Sequence, residues 1–359
     1  MTNPRLEIDL GAISQNARGL VDALAPKGIG VTGVTKAGLG CPEIARAMLA
    51  GGTRRIGDSR VANFGAMRSA GIEASMVLLR SPMLSEVDRV VATTNISLNT
   101  ESVVIHALAA AARDQCTTHG VMLMVELGDL REGVLEADLF AVVEATLQSQ
   151  HLALIGLGTN LACQSGVVPS AENMAELSRI ATTVEVAFDL ELEIVSGGNS
   201  ANLAWALNAS DVGRINDLRL GESILLGRDP LHGGPLPGMR TDGIRLVAEV
   251  IESKEKPAQP WGVVGRAAFG DPPSRVGTGS VRQALFAIGR QDVDPDGLGA
   301  PRGMQILGAS SDHLVVDTGE RCCPVGTEVS FELDYSALVR AMTSPFVARV
   351  FSDRAHAQS

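Results

Sequence analysis

Tyrosine is almost absent from this chain. Its 359 residues include a single one, Tyr335, and aromatic residues together make up 3%. Chemistry that needs a phenol therefore has one candidate. An excess of basic residues is also missing: 30 Lys and Arg stand against 41 Asp and Glu, for a formal net charge of −11 and a pI of about 5.1. Such a chain repels phosphate backbones, so nucleic acid is not an expected partner, although backbone amides and one or two arginines can still make a local anion site. Mean hydropathy is +0.17, yet no charge-free apolar run reaches the roughly 18 residues a spanning helix needs, so no membrane partner is expected. The opening MTNPRLEIDL shows no basic stretch leading into an apolar one, and no secretory signal is expected. The five cysteines (Cys41, Cys116, Cys163, Cys322 and Cys323) are odd in number and fit no zinc spacing. No metal site is expected from them. The adjacent Cys322–Cys323 pair reads as inert thiols on a strand edge, in a reducing, cytoplasmic setting.

What is present is 45% hydrophobic and 20% charged, ordinary for a globular protein with a large core. The length suits one large and one smaller domain. Up to about residue 230, short apolar runs alternate with helix-like segments: GIGVTGVTK, RRIGDSR, SMVLLRS, NISLNT, VMLMVELG, LALIGLGTN, ELEIVSGGNS and RINDLRLGES. Apolar runs without alternation suit a parallel sheet buried on both faces. About eight strand–helix repeats fit a (β/α)8 TIM-like barrel over residues 1–235, with a doubly wound open sheet as the rival. From about residue 240 the period changes to the alternation of half-buried strands with Gly/Pro-rich turns. The expectation for residues 236–359 is a separate, mostly β domain, with a helix at 336–342 and a last strand at 346–351.

Five polar motifs end the apolar runs. Lys36, in VTKAGLG, is either a strand-end lysine whose stem snorkels to water or a lysine made nucleophilic by partial desolvation. SGGNSAN (196–202) is either a plain turn capped by Asn or Ser, or a phosphate cup of backbone N–H groups at a helix start. Arg219 in LRLGES and Arg131 in GDLREGV are surface arginines or anion readers. Asn160 in GTNLACQSG is a turn residue or a ligand contact. Each is ambiguous alone. Together, a lysine, two arginines, an asparagine and a phosphate cup at the ends of strands suit a phosphorylated aldehyde cofactor.

With these motifs the sequence resembles the alanine racemase family of fold-type III pyridoxal 5′-phosphate enzymes, nearest the branch of ornithine and other basic amino-acid racemases. VTKAGLG, GDLREGV, GTNLACQSGVVPS, SGGNSANL, LRLGESILLGRDP, AIGRQDV, GASSDHLVVD and YSALVRAMTSPF carry the resemblance over nearly the whole chain. It implies that Lys36 holds the cofactor and is one of two acid/base groups. It implies Arg219 at the pyridine nitrogen and Arg131 near the cofactor 3′-oxygen and the substrate carboxylate. Asn199, Ser200, Gly221 and Glu222 fall on phosphate-binding segments, and Asn160 falls where alanine racemases carry a histidine. Ser310, Ser311 and Asp312 fall on a loop that meets substrate from a partner subunit.

The departures concern tyrosine. The family's second base is a tyrosine of the partner's β domain, and here the nearest residue is Phe269, which cannot move a proton. The region after the lysine motif, GLGC, and Phe346 also lack family tyrosines that approach the phosphate. Candidates for the second base are Asp312 and His313, placed first, then Asp271 and Cys41. The implied activity is interconversion of L- and D-forms of an amino acid, in a homodimer with its site at the interface. A basic substrate needs an acidic pocket group, for which Glu132, Asp129, Asp292 and Asp294 are available. Two other functions stay open: a pyridoxal-phosphate lyase or aldolase on the same fold, and a non-catalytic pyridoxal-phosphate-binding protein.

Overall fold

The computed structural model describes residues 4–270 and 278–353. The chain divides into two compact units: Ile13–Arg240, and Met1–Ala12 together with Thr241–Ser359. The opening strand β1 (Arg5–Asp9) therefore belongs with the C-terminal residues, which the expected boundary near residue 235 does not anticipate. Its alternating RLEID pairs antiparallel with β10 (Ile244–Pro257).

In the first unit the apolar runs become eight short parallel strands: β2 (Gly30–Val34), β3 (Arg55–Asp58), β4 (Ser75–Leu78), β5 (Ile96–Asn99), β6 (His119–Met124), β7 (Leu152–Gly158), β8 (Ile194–Ser196) and β9 (Asp217–Leu220). They close into a barrel in sequence order, with β9 returning to β2 through Gly30↔Asp217 to Gly33↔Leu220. The expected (β/α)8 barrel is the observed fold, and the open sheet is not. Helices run between the strands; the longest, Ala171–Phe188, starts on Ser170, whose side chain accepts from the Asn173 amide. Val77, Ile96, Leu98, Met122, Met124 and Ile194, from four strands, pack as one buried cluster. Gly156 lets β7 approach β8 closely, since a Cβ there would lie 1.8 Å from the Ile194 carbonyl oxygen.

The second unit is an eight-stranded sheet. Along it run β10, β11 (Ser280–Phe286), the two-residue β12 (Leu298–Gly299), β13 (Gln305–Ala309), β14 (Leu314–Asp317) and β15 (Glu328–Leu333), while β1 also pairs parallel with β16 (Ala348–Ser352). β15 alternates exposed and buried residues, as a half-buried strand should. The helix Tyr335–Thr343 follows it. Cys322 and Cys323 are not on a strand edge. They lie in the connection between β14 and β15, just before Pro324, which donates no ladder hydrogen bond. All five cysteines are unpaired. No helix among the described residues is long and apolar enough to cross a membrane.

Candidate active site

A cavity of about 440 Å³ opens in the barrel unit. Lys36, Arg131, Asn160, Asn199 and Arg219 all line it. Five motifs spread over 180 residues of sequence thus meet in one place, because each ends a strand of one parallel barrel or lies on the loop that follows one.

Lys36 leaves β2 through a single 3-10 turn, Lys36–Gly38. Leu39 and Gly40 then both take positive φ (52° and 63°), which turns the chain sharply; a Cβ at Gly40 would come within 2.3 Å of Asn63 Cβ. The residue before the lysine is fully buried and fixed. Thr35 donates from N to the Gly57 carbonyl at 2.9 Å and from Oγ1 to Asp58 Oδ2 at 2.8 Å. Asp58, also fully buried, accepts from the Arg60 amide and Asn63 Nδ2 at 3.0 and 2.9 Å. Burial pushes its carboxyl above the ordinary range, against the opposing pull of the Thr35 and Asn63 hydrogen bonds.

Arg219, on β9, is buried. Its Nη1 donates to Ser196 Oγ at 2.5 Å and its Nη2 to the Thr159 carbonyl at 2.7 Å. Ser196 donates in turn to Asp217 Oδ2 at 2.8 Å, and Thr32 donates to Asp217 Oδ1 at 2.8 Å. Burial pushes the Arg219 guanidinium down from its ordinary value, while Asp217 pulls it up. The surface salt bridge considered from sequence is therefore wrong for Arg219, which is an interior cation held by a polar network.

The SGGNSAN segment forms a capped turn. Asn199 Oδ1 accepts from the Ala201 amide at 2.8 Å, and Asn202 Oδ1 accepts from the Asn199 amide at 3.1 Å. Asn199 Nδ2 reaches Asn160 Oδ1 and the Leu161 carbonyl at 3.1 and 2.8 Å. The backbone amides of Gly221 and Ser223 both point at Ser200 Oγ, each at 3.3 Å, where the helix Glu222–Leu226 begins. Two amides and a hydroxyl thus converge at one point, an arrangement a phosphate oxygen can use. Ser200, Gly221 and Glu222 stand beside the cavity rather than on its lining.

Arg131 and Glu132 sit in a loop closed at its neck by a bridge between Val125 and Val134. Arg131 Nε and Nη2 both donate to the Glu132 carboxylate, and this bond raises the Arg131 pKa. Asp129, considered as an acid for a basic substrate, does other work: it is buried and accepts from the amides of Cys163, Gln164 and Ser165 at 3.3, 2.9 and 3.2 Å. Burial alone would raise its pKa; those amides outweigh it and hold the carboxyl below the ordinary value.

The remaining candidates lie elsewhere. Cys41 does not line the cavity. It is buried, donates to Glu43 Oε2 at 3.0 Å, and burial pushes its thiol up to about 11, so it is no base near neutral pH. Ser310, Ser311, Asp312 and His313 form the turn between β13 and β14 in the second unit. His313 Nδ1 is 3.0 Å from Asp312 Oδ1, and hydrogen bonding from Ser311, together with His313, lowers the Asp312 pKa. Asp292 accepts from Ser344 Oγ and Asp294 from Ser336 Oγ, both within that unit. Tyr335 and Phe269 share a separate hollow of about 660 Å³ there. Asp271 falls outside the described residues. Ser59, Arg80, Ser81 and Cys163 line the barrel cavity without having been singled out from sequence. Ser59, Arg80 and Ser81 follow strands β3 and β4, so the strand-end rule that found Lys36 would have found them. Among the described residues, no group of three His, Cys, Asp or Glu is close enough to hold a metal.

The model of the family described as "Alanine racemase, N-terminal domain" matches residues 8–229. The chain belongs to the alanine racemase family. Its activity class is therefore that of an amino-acid racemase, an isomerase, in a family whose enzymes use pyridoxal 5′-phosphate in general. Relatives include a lysine racemase of Thermotoga maritima, 37% identical over 98% of this chain and 99% of its own length. An ornithine racemase of Acetoanaerobium sticklandii is 35% identical over 96% and 99%. Among solved structures, the alanine racemase from Streptomyces lavendulae superposes with a TM-score of 0.78 over 98% of this chain and 97% of that one, at 21% identity, which speaks to the fold. The cavity fits the family's cofactor: it is strongly cationic, amides converge beside it at Ser200, and the buried Nδ2 of Asn160, on its wall, has no partner of its own.

Proposed function

We propose that this chain racemises a basic amino acid of the lysine and ornithine type, with pyridoxal 5′-phosphate on Lys36. The observation that carries the reading is the convergence of Lys36, Arg131, Asn160, Asn199 and Arg219 on one cationic cavity. The names of the two relatives similar over nearly their whole length support a substrate with a cationic side chain.

Each residue then has a task. When bound, the cofactor supplies the electron sink that makes a Cα–H acidic. Lys36 holds it and moves a proton at Cα from one side. Arg219, fixed by Ser196 and Thr159, donates to the ring nitrogen and keeps its own proton, as a guanidinium does. That limits how much negative charge leaves Cα and favours return of the proton there. Ser200, Asn199 and the amides around Gly221 and Glu222 hold the phosphate. Asn160 offers its unused Nδ2 to the ring, and Arg131 takes the α-carboxylate. The second acid/base is assigned to Asp312 and His313 of a partner subunit in a homodimer, with Ser310 and Ser311 beside the substrate. The 3.0 Å contact between Asp312 and His313 Nδ1 supports that pair, because a carboxylate at this distance fixes the orientation of the imidazole ring. A cytoplasmic location goes with this reading.

The test is loss of optical rotation for L-ornithine, L-lysine, L-arginine, L-alanine and L-serine, run beside Lys36→Ala. The expected result is racemisation of a basic amino acid by a yellow protein, with colour and turnover both lost in the variant. Racemisation by Lys36→Ala at the parent rate sinks the assignment of Lys36.

A further inference from the structure

The barrel cavity has a charge imbalance that bears on substrate choice. Four of its described lining residues are cations, Lys36, Arg80, Arg131 and Arg219, and one, Glu132, is an acid. The other acidic residues considered are committed elsewhere: Asp129 to three backbone amides, and Asp292 and Asp294 to serines of the second unit. Glu132 is bonded to Arg131 and also feels the charge of Arg219, and the Arg131–Glu132 pair is partly accessible, with side chains 38% and 25% exposed. The loop that carries both is braced. Glu126 accepts from the Gly128 and Leu130 amides, and a Cβ at Gly133 would lie 2.4 Å from the Glu126 amide nitrogen. Two opposite charges are thus held side by side on a fixed loop at the cavity wall.

We propose that the Arg131–Glu132 pair is the substrate-selecting device, Glu132 taking the distal ammonium of the amino acid as Arg131 takes its α-carboxylate. This inference rests on the racemase reading above and extends it to a residue. A basic amino acid brings both complements at once, so the internal ion pair is exchanged for two external ones and no charge is left alone. An amino acid with an uncharged side chain takes only Arg131 and strands the carboxylate of Glu132. The site discriminates against it by leaving a charged group unpaired, a stronger filter than a misfit of one methylene. The same exchange lets a substrate of net positive charge enter a cavity that already holds four positive groups.

The experiment compares kcat/KM for ornithine and lysine with that for norvaline and norleucine in the wild-type holoenzyme, Glu132→Gln and Glu132→Asp. The basic-to-neutral ratio is expected to fall about 10- to 100-fold in Glu132→Gln, the range for losing one charge-assisted hydrogen bond. In Glu132→Asp the acid is kept but retracted by one methylene. The lysine-to-ornithine ratio is then expected to rise, because the longer side chain reaches the shorter acid. Cofactor loading, read from the visible absorbance, shows that the site itself is intact, and Glu132→Asp decides the matter if Glu132→Gln does not fold. Ratios unchanged in the folded variants, with all substrates slowed alike, overturn the proposal: Glu132 would then only hold Arg131. A wild-type enzyme with no basic preference overturns the substrate reading itself, whatever the variants do.

Discussion

Arg219 shows how much one buried cation depends on its surroundings. Two of its donors are matched to two acceptors on different strands, the Ser196 hydroxyl of β8 and the Thr159 carbonyl just beyond β7. A lysine carries one ammonium and cannot span both. Arg219→Lys is therefore expected to leave an acceptor unpaired and to destabilise the barrel by about 1–3 kcal/mol. Urea unfolding followed by far-UV circular dichroism measures it, and an unchanged midpoint contradicts the assignment. At this scale the sequence was legible wherever a polar residue closed an apolar run. Lys36, Asn160 and Arg219 share that position, and all three line the cavity. It was not legible for Asp129 or Glu132, which lie three residues apart on one short loop and take different roles. Only folding decides that Asp129 turns to the amides of residues 163–165 while Glu132 faces the cavity.

At the scale of elements, that loop and the next one make the cavity wall together. Residues 161–166 follow β7 and include Ala162 at φ 57°, a left-handed conformation that an alanine adopts at a cost. Asp129 accepts from three consecutive amides there and pins the turn. Because its pKa is depressed in the fold, its contribution is present above the ordinary carboxylate pKa and is lost as pH falls through the lower folded value. Asp129→Asn puts a donor where an acceptor is needed. Amide hydrogen exchange at Gln164 and Ser165 is expected to quicken by about 10- to 100-fold, and exchange at the wild-type rate would show that the carboxylate is not the pin. Strand positions were readable from apolar runs, since a parallel barrel buries both faces of every strand. The place of β1 was not, since a five-residue alternating segment has no say in which sheet it joins; its partners, β10 and β16, lie more than 200 residues away.

The whole molecule carries a further consequence of burying polar groups in the barrel. His119, at the start of β6, is almost wholly enclosed, with Nε2 2.8 Å from Ser97 Oγ; Asn99 Nδ2 donates to the same hydroxyl at 3.0 Å. Burial pushes its pKa from the ordinary 6.5 down to about 4. The unfolded chain takes up this proton as pH drops below about 6.5, whereas the folded chain refuses it until about 4. Stability is therefore expected to fall with pH across that window. At about 1.4 kcal/mol per pH unit, the loss is on the order of 3 kcal/mol. Asp58 works in the opposite sense, because its pKa is raised in the fold and acid relieves the cost of keeping it charged. The two effects separate by substitution. His119→Gln keeps a side-chain amide near Ser97 and removes the titration, so urea midpoints of the barrel transition between pH 6.5 and pH 4 are expected to vary less with pH than in the parent, by about that amount. An equal slope in both proteins would mean that the acid sensitivity of this fold lies elsewhere than in its buried histidine.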